Sequence, residues 1–478
     1  MKMIINGKMV DASDKTTMDI VNPYTKTVID TVPNATEKDV DTAVKSAHKA
    51  FPAWAKVPLT KKIALLKKFL DLVDKSKQSL AMTLCKETGK PITQAIAEIG
   101  NIRIGFESFI EKAKHIYGEV IPAGQEAGND KTIQFTLREP MGVVAAIIPF
   151  NFPCDLFDQK VAPSLLAGNT VVIKPPHQNP MTLIKLVELL HLAGVPKNVV
   201  HVITGEGEKT GNALSRHPLV HKITFTGSTR VGVKTYENGA SHLAHISLEL
   251  GGNDAFIVLN DADLNLVIEE MVWGRMYNNG QVCCASKRFL VQRDILDKFV
   301  TKAKSRLAKL VVGDPTKKTT EISCLVTEEA AKRVEKQIKN AVEQGGKIIC
   351  GGKRKGAYIA PTIISNIPKT ADVAIDDEIF GPVVSVIPFD TVEEAIQIAN
   401  ASKYGLCGCV FTQNIKTAFN VVSQLECGGT VINGASFFRS FEMPFGGYKF
   451  SGIGNEGVLS TFNEVTKIKT VVLKNILD

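Results

Sequence analysis

The stretch "NNGQVCCASKR", Asn278–Arg288, sets two adjacent cysteines just past a glycine in a chain that otherwise scatters its thiols. A thiolate is a strong nucleophile, although taken alone a free cysteine is more often a small packing residue. Two further residues have types that would serve such a nucleophile. In "PFNFP", Asn151 follows an apolar run directly, where its amide could donate to a developing oxyanion or simply satisfy a turn. In "SLELGGND", Glu249 ends a strand that reads as buried. A carboxylate is costly there unless it has a task, and burial would raise its pKa toward that of a useful general base.

Three turns between strands and helices are equally pointed. "VVIKPPHQNP" closes a strand with Lys174 and two prolines. "ITGEGEKTG" carries Gly205, Gly207 and Gly211, a GxGxxxG spacing rather than the GxGxxG dinucleotide fingerprint. "FTGSTRVG" puts Gly227 and Ser228 at a helix start, where Ser also suits an N-cap. Each is weak alone. Together on one half of the chain they favour a nucleotide site, because helix N-termini at the ends of parallel strands offer free N–H groups and a positive dipole end.

The elements that must position these residues alternate. Apolar residues at Val40, Ala43, Val44, Ala47, Phe51 and Trp54 have helical spacing, and "KKIALLKKFLDLVDKSKQSLAMTL" continues in that style. From "GVVAAIIPF" onward the pattern becomes strand, helix, strand: "NTVVIKPP", "TLIKLVELLHLAG", "NVVHVIT", "EKTGNALSRH", "VHKITFTG", "STRVGVKTYENGA", "HISLELGG". A second series runs from "DAFIVLND" through "KRFLVQR", "VVSVIPF", "CGCVFTQ" and "GGTVINGA". This implies βαβ units and an α/β fold of two doubly wound parallel-sheet domains. At 478 residues the chain is too long for one core. The net charge of +8 is spread over many helices with only 6% aromatics, so a solvated surface is expected rather than a nucleic-acid face. No apolar run approaches a membrane span, and the start "MKMIINGKMVDASD" lacks the apolar core of a secretory signal. Nine cysteines without framework spacing point to reduced thiols and the cytosol, and no metal site is expected.

"PFNFP", "VVIKPP", "FTGS", "LELGG", "GQVCCA", "EIFGPV" and "MPFGGYKFSGIG" occur in an order and spacing that resembles the aldehyde dehydrogenase superfamily over nearly the whole chain. The 34 residues between Glu249 and Cys283 (283 − 249) also fit. The resemblance implies a cofactor-binding domain over 1–120 and 141–248 and a catalytic domain over 249–449. It also implies a small β oligomerisation arm over 121–140 and 450–478, in a homodimer or homotetramer. It nominates Cys283, the second residue after Gln281, as nucleophile, leaving Cys284 to packing. Asn151 and the Cys283 N–H would hold the oxyanion, and Glu249 would activate water. Lys174, His177, Gly207, Gly211, Gly227, Ser228, Glu378 and Phe380 would bind the cofactor, and Phe152, Gln159, Val282, Arg439 and Phe445 would line the substrate pocket. NAD-preferring members commonly carry Glu where this chain has His177. A protonated His177 could pair with a 2′-phosphate, so the reading leans to NADP over NAD. The substrate expected is a small hydroxyaldehyde such as lactaldehyde or glyceraldehyde. Succinic semialdehyde is second, because Gln159 stands about where its enzymes place an Arg. A CoA-acylating enzyme would not need Glu249, and a structural protein would not need the intact trio. A redox switch made of adjacent cysteines is disfavoured by strain.

Overall fold

The computed structural model describes residues 1–475. Two twisted sheets carry the chain. In the first, five parallel strands run in the order Val200–Val202, Thr170–Lys174, Val143–Ile147, Lys222–Thr226, His245–Glu249. The strand that comes first in sequence, Val143–Ile147, lies in the middle, so connections run outward both ways and leave a crevice at its C-terminal end. The alternation of side chains shows why both faces are covered. Val143, Ala145 and Ile147 pack with Val40, Ala43, Val44 and Ala47 of helix Glu37–Ala55. Ala146, Val171 and Ile173 point the other way, into a core with Leu165, Leu183 and Val187. Helix Glu37–Ala55 starts with a capping box in which Thr36 accepts from the Asp39 N–H and Asp39 answers to the Thr36 N–H.

The second sheet has six parallel strands in the order Thr362–Ser365, Val383–Phe389, Ser286–Gln292, Asp254–Val258, Cys407–Phe411, Gly429–Ile432, with an antiparallel edge at Lys347–Cys350. Ala255 and Ile257 pack against Val334 and Ile338 of helix Glu328–Glu343, whereas Phe256 and Val258 pack on the opposite face. The Phe256 ring lies 4.8 Å from Phe289 and 4.5 Å from Phe411, pairs worth about 0.5–1.5 kcal/mol each beyond their burial. Both doubly wound α/β units expected from the alternating pattern are present.

A third sheet is small. Thr466–Lys474 pairs antiparallel with Thr132–Pro140, from Thr466 opposite Pro140 to Lys474 opposite Thr132, and Val120–Ile121 forms its edge. The expected 450–478 arm needs correction. Gly452–Ile453 joins the edge of the first sheet beside Leu248 and Glu249. Val458, Phe462 and Val465 of helix Val458–Val465 are buried in the first core, because their spacing makes one apolar face. Only the strand from Thr466 belongs to the third sheet, and residues 476–478 lie outside the described residues. The expected helix "EKTGNALSRH" is likewise broken, with a π turn at Gly207–Gly211 followed by one short helix at Asn212–Ser215.

Candidate active site

The turn before the two cysteines is wound left-handed. Asn278, Asn279 and Gly280 have φ of 52°, 57° and 78° in succession. Asn tolerates that region through local side-chain bonds, and here both amides are used. Asn278 Nδ2 donates to the Asn151 carbonyl at 2.9 Å, and Asn279 Nδ2 donates to the Cys324 carbonyl at 2.9 Å. Gly280 is required twice over, since a Cβ there would also meet the Gly381 carbonyl carbon at 2.3 Å. Gln281 completes the anchor, its Oε1 accepting from the Val326 N–H at 3.0 Å. The Asn151 carbonyl takes a second bond from Lys90 Nζ at 2.8 Å. The Asn151 loop and the cysteine loop are therefore tied together by the chain itself.

Cys283 and Cys284 then diverge. Cys284 is buried with Val282, Ala285, Leu406, Cys407 and Phe445, and its carbonyl accepts from Ser436 Oγ at 3.0 Å. Cys283 lies at the margin of that cluster and opens onto a cleft of about 570 Å³ between the two sheets. Asn151, Lys174, His177, Gly207, Gly211, Gly227, Ser228, Glu249, Glu378 and Phe380 line the same cleft. The structure thus brings together every residue expected to bind the cofactor and all three expected to do chemistry. The Cys284 thiol, bonded to it, and burial push the Cys283 thiol well above its ordinary range, while Lys287 and Arg439 pull the other way. Glu249 is 4% exposed and neither carboxyl oxygen has a partner. Burial, then the neighbouring Cys283, raise its pKa well above the usual carboxylate range. Gly251 beside it lets the Glu378 carboxylate approach closely, since a Cβ there would sit 2.3 Å from Glu378 Oε2.

The cleft suits a dinucleotide. It lies at the C-terminal end of Val143–Ile147, where the strand order reverses. Lys174 ends a central strand as a cation 3% exposed, lowered by burial to about 8 and still charged at neutral pH. Phe150 and Phe380 meet edge to face at 5.9 Å across it. Ser228 holds the N-cap position of helix Thr229–Ala240, but its side chain makes no capping bond, contrary to the N-cap reading. His177 also departs from expectation. Burial and then Lys174 lower its pKa, which disfavours the proton it would need to pair with a phosphate. A carboxylate is present after all, supplied by the next turn. Glu206 shares a neighbouring cleft with His177 and acts on it favourably.

On the other side of Cys283 the expected pocket residues behave differently. Val282 and Phe445 are each 2% exposed and form the floor behind Cys283. Gln159 is not brought to the cleft. It is buried, and its Oε1 accepts from the Gly457 N–H at 3.3 Å. Phe152 joins an aromatic collar, 6.2 Å from Tyr277 and 6.2 Å from Phe437, which are 5.3 Å from each other. Arg439 stacks over Phe445 at 4.2 Å and bonds Glu456 Oε2 at 2.8 Å. Glu456 Oε1 receives Lys160 at 2.7 Å. Against a burial that would raise it, Lys160 and Arg439 hold the Glu456 carboxyl down at about 2.

Several site residues escaped the sequence reading. Asp155 follows Phe152, the residue that precedes helix Pro153–Ala167, by three positions, and Asp158 lies one turn further on the Asp155 face. Asp155 Oδ1 and both Asp158 oxygens are buried without partners. Burial, then Glu98, raise Asp155 to about 7, and burial, then Asp155, raise Asp158 further. Carboxylates amid an apolar helix face, "CDLFDQKVAP", were the available signal. Lys287 was read only as part of a strand, yet its side chain is 1% exposed beside Cys283 and Glu378.

The sequence model of the aldehyde dehydrogenase family matches residues 9–471. The chain is 36% identical to lactaldehyde dehydrogenase of Methanococcus aeolicus over 98% of this chain and 99% of that one. It is 35% identical to the NADP-dependent succinate-semialdehyde dehydrogenase of Escherichia coli, covering 98% and 96%. Among solved structures it is similar to betaine aldehyde dehydrogenase of Staphylococcus aureus in complex with NAD+, with a TM-score of 0.95, 33% identity and coverage of 100% and 95%.

Proposed function

The chain belongs to the aldehyde dehydrogenase family and oxidises a small aldehyde with NAD(P)+, and from that premise we propose that Cys283, Glu249 and Asn151 carry the reaction. The observation that carries this reading is the single cleft onto which all three open, with Glu249 buried and unpartnered. The Cys283 thiolate attacks the aldehyde carbon, forming a C–S bond, while the oxygen becomes an oxyanion held by the Asn151 amide and the Cys283 N–H. Bound NAD(P)+ supplies the hydride acceptor that makes oxidation to a thioester possible. Glu249, once deprotonated, takes a proton from water that attacks the thioester, releasing the acid and restoring the thiol. Lys174 and Glu378 would hold the ribose hydroxyls of the cofactor, and Gly227 and Ser228 would bind its pyrophosphate.

The substrate is a small hydroxyaldehyde of the lactaldehyde or glyceraldehyde kind. Arg439, the one pocket cation expected to greet an anionic tail, already has Glu456 as its partner. Asp155, with Oδ1 unpartnered and burial raising its pKa to about 7, follows Phe152 by three residues and adds a polar group that suits a substrate hydroxyl. Succinic semialdehyde is the second reading, favoured by the semialdehyde relative. Kinetics on lactaldehyde, glyceraldehyde and succinic semialdehyde with each cofactor test this. Higher kcat/KM for the hydroxyaldehydes supports the first reading, and a tenfold advantage for the semialdehyde replaces it with the second. Either cofactor fits, with NADP slightly favoured, since a neutral His177 lacks the charge that would repel a 2′-phosphate and Glu206 tempers the preference.

The third sheet serves assembly into a homodimer or homotetramer. Its strands leave Val120, Leu137, Ile468 and Val472 exposed, and an open strand edge invites pairing. Light scattering that finds a monomer at micromolar concentration would refute this. All nine cysteines are free, which supports a reducing compartment such as the cytosol. Among the described residues no helix is long and apolar enough to cross a membrane.

A further inference from the structure

Lys287 stands second in the strand Ser286–Gln292, four residues beyond Cys283. Its ammonium group donates to the Cys283 carbonyl and pairs with Glu378 Oε1 at 3.1 Å, while lying 5.9 Å from the centre of the Phe380 ring. A cation this deeply buried is costly unless geometry compensates it, and here two acceptors on separate segments do so. Glu378 Oε1 also accepts from the Gly252 N–H at 3.2 Å. Oε1 is thereby occupied by the chain, and Oε2 is left for a ligand in the cleft that Glu378 lines. One buried side chain therefore touches both the backbone of the nucleophile and the carboxylate at the ribose position.

We propose that Lys287 is a positioning residue that locks Cys283 to Glu378, fixing the distance between nucleophile and cofactor ribose and favouring the thiolate. The proposal rests on the roles given above to Cys283 and Glu378. The groups that face the Cys283 sulfur are few. The Cys284 thiol opposes its ionisation, Lys287 and then Arg439 favour it, and Cys283 in turn raises its neighbours Glu249 from the first sheet and Cys407. Arg439 is engaged by Glu456, and its loop enters from the substrate side. Lys287 follows the thiol by four residues, at the start of its strand, and of the two cations it is the one paired with Glu378, which lines the cofactor cleft. Its loss would free the Glu378 carboxylate, release the Cys283 carbonyl and leave the thiol harder to ionise.

The test is the rate of Cys283 alkylation by iodoacetamide from pH 6 to 10, mapped to the residue by peptide mass, in wild type, Lys287→Met, Lys287→Gln and Lys287→Arg. Met and Gln should move the midpoint up by about one pH unit and slow alkylation at pH 7 about tenfold, since one unit is a tenfold change in ionised fraction. KM for the nicotinamide cofactor should rise in the same variants, and Arg should restore most of the midpoint. Thermal melts identify which variants fold, and either Met or Gln suffices for the reading. An unchanged midpoint in a folded variant overturns the proposal even if activity falls, because a merely structural lysine would lower activity without moving the thiol. If wild-type activity survives complete alkylation of Cys283, the assigned nucleophile fails instead, and the two failures are separable.

Discussion

The cleft on one side of Cys283 and the aromatic collar on the other are built by opposite means. The cleft is lined from the C-terminal ends of parallel strands and the turns that follow: Lys174 and Glu249 end strands of the first sheet, Gly227 follows one directly, and Asn151 and Gly207 stand in the turns beyond two others. Position follows there from backbone geometry, and the side chains are small or singly charged. The collar is gathered from remote segments, with Phe152 and Asp155 from one helix start, Tyr277 from the left-handed turn and Phe437 and Arg439 from the long loop after Gly429–Ile432. Its charges are held by other side chains, as in the Arg439–Glu456–Lys160 chain. Chemistry and cofactor are thus carried by the sheet, and choice of substrate by packing between loops. Changes to the cleft should alter rate, and changes to the collar should alter preference.

The largest effect should come from the residue at the junction. Cys283→Ala is expected to lower kcat/KM by at least about 10⁴-fold. Cys284→Ala, a small truncation in the buried cluster, should keep activity within a few fold while lowering Tm. Equal losses would erase the distinction between the two thiols. Next, Glu249→Gln should cut turnover about 10²- to 10³-fold while leaving a burst of reduced cofactor. Loss of the burst as well would move Glu249 to an earlier step. Because the Glu249 and Cys283 pKa values are both raised, their reactive, deprotonated forms increase with pH. The rate should therefore climb from pH 6 to 9, and a profile falling over that range would contradict the acid–base assignment.

The sequence made the cleft legible because its residues stand at motif positions beside strong strand patterns. It did not make the collar legible, since nothing local in "CDLFDQK" reveals that Tyr277 and Arg439 meet that helix. Gln159 shows the limit of analogy, since its side chain is buried away from the cleft and its amide oxygen is spent on the Gly457 N–H. His177 shows a second limit. The absence of a carboxylate at that position is readable, but the burial that lowers its pKa and the approach of Glu206 arise only from the folded chain. Residues 450–465 were misassigned to the arm because a short strand and an amphipathic helix next to a long strand look like one extended tail.

Collar changes should be smaller and selective. Asp155→Leu is expected to reduce the advantage of glyceraldehyde over propionaldehyde about tenfold, the scale of one hydrogen bond to a charged group, with little change in KM for the cofactor. An equal loss on both aldehydes would place Asp155 in folding rather than recognition. The smallest effect belongs to His177. Because burial lowers the His177 pKa, the NADP-to-NAD ratio of kcat/KM should vary less between pH 6 and 8 than an ordinary imidazole would make it, apart from protonation of the phosphate itself. His177→Glu should then lower the ratio several-fold through like-charge repulsion. A ratio indifferent to that change would remove His177 from cofactor choice.

The central claim is that Cys283, opening onto the cleft, forms the covalent intermediate and Glu249 resolves it. Glu249→Gln enzyme mixed with aldehyde and NAD(P)+, quenched in acid within the burst and mapped by peptide mass spectrometry, tests it directly. The predicted result is an acyl group of the substrate's mass on Cys283, near one per active site, with Cys284 unmodified. An acyl group on Cys284, or a full burst of reduced cofactor with no acylated cysteine, would contradict the account.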